Sequence, residues 1–146
     1  MEIKTVKIPS WLTDPIKTLE VDQPFFTQPG YLNHNDIDLL FDEYVEADVI
    51  HNWLNITTYA GTENHFNWHN EKGIGEGKFH PGEHASILWI SGETDQGGDL
   101  QYIDEGGMLH QIPFEPNQLI TIKSDTIHRV MSYYSDVPRI TLNYTF

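Results

Sequence analysis

The chain has 146 residues, with 22 Asp and Glu against 8 Lys and Arg, 8 His and no Cys. That length predicts one domain, 1–146, able to fold without a disulfide or a structural metal. The lack of cysteine excludes a disulfide framework, a thiolate zinc site, an iron–sulfur cluster and a Cys nucleophile.

Helix signals are confined to the first third. Ser10 or Thr13 offers a cap for a short helix through Leu19, with Pro15 in its first turn. Asn33 or Asn35 offers a cap for a second, in which Ile37, Leu40, Phe41, Tyr44 and Val45 recur at three- and four-residue steps. From about Ile50 the period changes, and the segment Trp53 to Tyr59 is rich in β-branched and aromatic residues. Further strands are expected at 65–69, 85–91, 100–103, 108–114, 118–123, 126–132 and 139–146, separated by turn residues such as Gly97-Gly98, Gly106-Gly107 and Pro116-Asn117. About eight short strands at this spacing predict a sandwich, jelly roll or barrel. Residues 70–82, with four glycines, read as a long loop of the kind that forms lids or binding loops.

The formal net charge of −14 predicts no nucleic-acid partner and no membrane partner, because Lys and Arg hold phosphates and anionic lipid. It suits either plain solubility or a cationic partner. Met1-Glu2-Ile3-Lys4-Thr5 has no basic stretch followed by an apolar core, and no apolar run approaches roughly 20 residues, so the expected location is the cytoplasm.

The first chemically pointed feature is Trp68-His69-Asn70-Glu71. In an extended segment residues i and i+2 face the same way, which projects His69 and Glu71 together. Two His and one carboxylate, with other positions open, is the ligand set of non-haem Fe(II) oxygenases. His128, 59 residues on and in a later strand, is the best third ligand; His65, His80, His84 and His110 are rivals, and a His in a strand is more often packed or solvated. Arg139 and Thr141 share a face of the last strand. Arg139 is either an ordinary ion pair or a planar fork for the distal carboxylate of a dicarboxylate held on the metal, with Thr141 adding a hydroxyl. Tyr59 is either a core tyrosine or a phenol donating to that co-substrate. Trp53, Trp68 and Trp89 are expected in core or pocket lining.

The set Tyr59, His69-x-Glu71, Gly97-Gly98-Asp99-Leu100, His128-Arg129-Val130 and Arg139-x-Thr141 resembles the 2-oxoglutarate- and Fe(II)-dependent oxygenases, especially the prolyl-4-hydroxylase-like group. The likeness covers about residues 50–146. It implies a mostly β fold, a double-stranded β-helix (jelly roll), with 1–49 as helical N-terminal support and 50–146 as the β core. The family pattern is most often H-x-D, and here the carboxylate is Glu71; many collagen-type prolyl hydroxylases have Lys where Arg139 stands.

The resemblance implies His69, Glu71 and His128 as Fe(II) ligands and as the catalytic centre. It implies Tyr59, Arg139 and Thr141 around 2-oxoglutarate, O2 as oxidant and ascorbate as reductant. The activity implied is hydroxylation of a peptidyl (prolyl) or small-molecule substrate, with release of succinate and CO2. Outer partners orienting the imidazoles are expected at Asn67 or Asn143. The rival readings are a cupin-type metal protein that does not use 2-oxoglutarate, which leaves Arg139, Thr141 and Tyr59 without a role, and a metal-free β-module.

Overall fold

The computed structural model of the chain describes residues 1–19, 25–33, 51–58, 67–72 and 82–146. Its strands are β1 (Glu2–Thr5), β2 (Phe25–Pro29), β3 (His51–Thr57), β4 (His84–Ser91), β5 (Leu100–Ile103), β6 (Leu109–Ile112), β7 (Gln118–Lys123), β8 (His128–Val130) and β9 (Arg139–Thr145), with one helix, α1 (Ser10–Lys17). They form two antiparallel sheets, one ordered β1-β7-β4-β9-β3-β2 and the other β6-β5-β8. The protein is mostly β, as expected.

Of the helical support expected over 1–49, the described residues contain α1; they also contain β1 and β2, which pair at the two edges of the large sheet. All four β1 side chains are exposed, so no apolar alternation marked the strand. Pro29 ends β2 at an edge, where a missing N–H is tolerated. The second helix expected after Asn33 lies outside the described residues. In α1, Ser10 is the first helical residue rather than the cap: Pro9 stands at the N-cap, and Pro15 lies inside the helix rather than in its first turn.

The large sheet buries both faces. Leu12 and Ile16, one turn apart on α1, pack on its outer face with Leu54, Ile56, Leu88, Ile140, Leu142 and Tyr144. Each such side chain contributes about 1.5–3 kcal/mol on leaving water. Ala85, Ile87, Trp89, Ile120 and Ile122 leave the opposite face and meet Leu100, Ile112 and Phe114 between the two sheets. Burial on both faces explains why β4 reads as a continuous apolar run.

β9 is the strand that positions the site. Ile140, Leu142 and Tyr144 join the outer core, so by the two-residue period Arg139, Thr141, Asn143 and Thr145 form a polar row on the inward face, and all four are buried. Beside them in register stand Thr57, Asn55, Trp53 and His51 of β3.

Candidate metal centre

His69 and His128 are brought together by backbone pairing. They form an antiparallel bridge that adds residue 69 to the small sheet beside β8. Their ring centroids lie 4.5 Å apart. Glu71 reaches the pair by a turn rather than by the strand period expected from the sequence. The Asn70 side-chain oxygen accepts the Lys72 N–H at 3.0 Å, and the Glu71 N–H donates to the Ser124 carbonyl at 2.9 Å. The Glu71 carboxylate stands 3.3 Å from His128 Nε2 and 3.9 Å from His69 Nε2.

The three donor atoms lie within 4.8 Å of one another, and among the described residues this is the one such group of metal-suited side chains. Nitrogen and oxygen donors bound at about 2.0–2.2 Å and at right angles stand roughly 3 Å apart, so seating an ion takes a small contraction. Glu71 and His128 are buried and His69 is partly exposed.

Ring orientation is fixed on both histidines in the same way. His69 Nδ1 lies 2.8 Å from the Asn67 carbonyl oxygen, and His128 Nδ1 lies 2.8 Å from the Thr126 carbonyl oxygen. A carbonyl only accepts, so Nδ1 is the donor on each ring and Nε2 is the nitrogen left to face Glu71. Of the expected partners, Asn67 serves through its backbone rather than its amide. Asn143 instead donates to Thr141 Oγ1 at 3.2 Å. Sequence reasoning missed Thr126, because a carbonyl acceptor has no side-chain signature.

A cavity of about 80 Å³ opens on the triad, with walls that include Trp53, Asn55, Ile87, Val130 and Asn143. Trp53 is therefore pocket lining. Trp68, the residue before His69, is braced by the Arg129 guanidinium, which lies over its ring at 4.5 Å. Of the rival histidines, His84 stacks on Phe146 and His110 bonds Asp104 at 2.7 Å. His65 and His80 lie outside the described residues, as does Tyr59.

Thr141 and Arg139 occupy the same inward row as Asn143, two and four residues before it on β9, and are not walls of that cavity. Arg139 is 3% exposed. Its Nε donates to the Gly98 carbonyl at 3.0 Å, and its guanidinium lies over the rings of Phe114 (4.8 Å) and Trp89 (5.9 Å). It makes no ion pair with an acid among the described residues. Burial pulls its pKa down to about 10, opposed by Tyr133 and Asp99 nearby.

The Gly97-Gly98-Asp99-Leu100 motif lies against Arg139. Gly98 has φ +75°, and a Cβ there would sit 2.8 Å from Arg139 Cδ and Nε. Asp99 accepts from the Phe114 N–H at 2.8 Å and Gln111 Nε2 at 2.9 Å, tying β5 to β6.

Solved structures share this architecture. An oxidoreductase of the 2OG-Fe(II) oxygenase family from Burkholderia pseudomallei matches with a TM-score of 0.64 at 12% identity, over 82% of this chain and 64% of that one. A prolyl-4-hydroxylase from Pseudomonas putida matches with 0.62 at 13%, over 98% and 90%. A prolyl 4-hydroxylase from Phytophthora capsici matches with 0.57 at 15%, over 92% and 50%. The chain thus spans less than two thirds of the first and half of the third. At these identities the likeness establishes the fold, that of the 2-oxoglutarate- and Fe(II)-dependent oxygenases. No protein-family model and no curated protein sequence matches the chain. Among the described residues no helix is long and apolar enough to cross a membrane.

Proposed function

We propose that the protein is a 2-oxoglutarate- and Fe(II)-dependent oxygenase that hydroxylates a C–H bond of a peptidyl or small-molecule substrate. The observation that carries this reading is Arg139. A guanidinium buried to 3% that makes no ion pair among the described residues is costly to maintain, and such charges are normally paired. Its position in the same inward row as the walls of the His69–Glu71–His128 cavity suits a ligand that is chelated at one end and anionic at the other.

Both groups suit the residues present. Two neutral imidazoles and one carboxylate favour Fe(II) with open positions, and an unpaired buried cation favours a carboxylate. When bound, iron and co-substrate supply O2 activation, and the sum reaction R–H + 2-oxoglutarate + O2 → R–OH + succinate + CO2 balances.

The chain's own contribution is placement. His69 and His128 present Nε2, held by the Asn67 and Thr126 carbonyls, and Glu71 supplies the anionic ligand. Arg139 neutralises the distal carboxylate, with the Thr141 hydroxyl beside it. Trp53, Ile87, Ile122 and Val130 line the cavity with apolar surface and limit water.

The test is succinate formation from 2-oxoglutarate by protein loaded anaerobically with Fe(II) and then given O2. Slow succinate release that disappears in His128→Ala supports the reading; none at any Fe(II) concentration overturns it.

A further inference from the structure

One indole between the sheets lacks an acceptor among the described residues. Trp89 on β4 is 0% exposed, and its Nε1–H has no hydrogen-bond partner among them. A buried, unpaired N–H forfeits its hydrogen bond to water without replacement, and the large majority of buried side-chain polar groups are paired. A phenylalanine would fill similar space without that cost.

The surroundings are rich in donors. Trp89 stands opposite Thr141 in the β4–β9 register, two residues from Arg139. Thr141 Oγ1 already accepts from Asn143, which leaves its own hydroxyl proton to give. The Arg139 guanidinium lies 5.9 Å from the Trp89 ring centroid, and among the described residues it hydrogen-bonds through Nε, to the Gly98 carbonyl. Phe114, 5.1 Å from the Trp89 ring, closes another side with apolar surface. An indole, a hydroxyl and a guanidinium fork thus share this inward face, and none of them is ion-paired or bonded to a carboxylate among the described residues.

The geometry points to Trp89 as a specificity-determining donor: its N–H completes, with Arg139 and Thr141, a site for the distal carboxylate of a 2-oxo diacid. This rests on the oxygenase reading above. The indole works by exclusion as well as attraction. A 2-oxo acid of the same length ending in a methyl group, 2-oxopentanoate, leaves both the N–H and the guanidinium buried and unpaired, which a site built for hydrogen bonding rejects strongly.

The experiment uses full-length ¹⁵N-labelled protein loaded with Zn(II), a diamagnetic stand-in that permits no turnover. The four tryptophans give four indole N–H signals. That of Trp89 is the one missing in Trp89→Phe or, should that variant fail to fold, the one surviving Phe substitution at Trp11, Trp53 and Trp68 in turn. With 2-oxoglutarate the Trp89 signal moves downfield further than the other three, and 2-oxopentanoate at equal concentration does not move it. Calorimetry shows Trp89→Phe weakening 2-oxoglutarate about ten- to a hundredfold, with Zn(II) affinity unchanged. If wild type binds 2-oxoglutarate while the Trp89 signal stays in place, or Trp89→Phe binds it equally well, the assignment is overturned and the oxygenase reading stands. If zinc-loaded wild type binds no 2-oxoglutarate at all, both fall together.

Discussion

His69 and His128 face each other across an antiparallel bridge in which each backbone N–H reaches the other's carbonyl oxygen, at 3.1 and 2.9 Å. Directly paired residues project to the same face of a sheet. Two imidazoles 59 positions apart in sequence are therefore delivered to one point by the backbone, and each is turned by the carbonyl two residues before it. The arrangement is preorganised, so binding an ion requires little further ordering.

That preorganisation predicts metal-dependent stability. At a metal concentration of 100 times Kd the folded state gains about 2.7 kcal/mol. For a chain of this size the gain corresponds to a rise in Tm of roughly 5–10 °C. Thermal unfolding with Mn(II) or anaerobic Fe(II) shows this rise in wild type, little or none in His69→Ala or His128→Ala, and a reduced one in Glu71→Gln.

Arg139→Met separates stability from function. The buried guanidinium, with its pKa lowered to about 10, is a charge the folded state holds at a cost. Methionine fills similar space without that cost. Urea unfolding of the unliganded variant gives equal stability or a gain of about 1–2 kcal/mol, while 2-oxoglutarate affinity falls at least a hundredfold. A structural ion pair predicts the reverse: lost stability and unchanged binding.

Gly98→Ala disturbs the same arginine from the other side. The residue has φ +75°, and the added Cβ would stand 2.8 Å from Arg139 Cδ and 3.2 Å from Tyr133 Cδ1. The left-handed backbone alone costs about 1–2 kcal/mol. The variant loses that much or more in urea unfolding, and 2-oxoglutarate weakens because Arg139 is displaced, while Mn(II) affinity is retained.

Asp99→Ala removes two hydrogen bonds to a carboxylate, from Phe114 N and Gln111 Nε2. The expected loss is about 2–4 kcal/mol in urea unfolding. Since Phe114 also lies over Arg139, a weaker loss of co-substrate affinity accompanies it.

The strands from β3 onward were legible because their apolar and β-branched residues are bounded by Gly, Pro and Asn turns. β1 was not, since an exposed edge strand pairs by backbone alone. His69, Glu71 and His128 were legible as residue types, but the reason for their convergence was not. A turn built on the Asn70 side chain, rather than the strand period, brings Glu71 round to the imidazoles. The acceptors at Asn67 and Thr126 are main-chain atoms that any residue would supply. Trp89 reads as one more apolar residue in a central strand, and only burial without an acceptor distinguishes its N–H.

Calorimetric titration of 2-oxoglutarate with and without Mn(II) examines the joint action of the triad and Arg139 most directly. Saturable binding near one equivalent appears only when Mn(II) is present, and is lost in both His128→Ala and Arg139→Met. Binding that ignores the metal, or persists in both variants, or no binding to the Mn(II)-loaded protein, would contradict it.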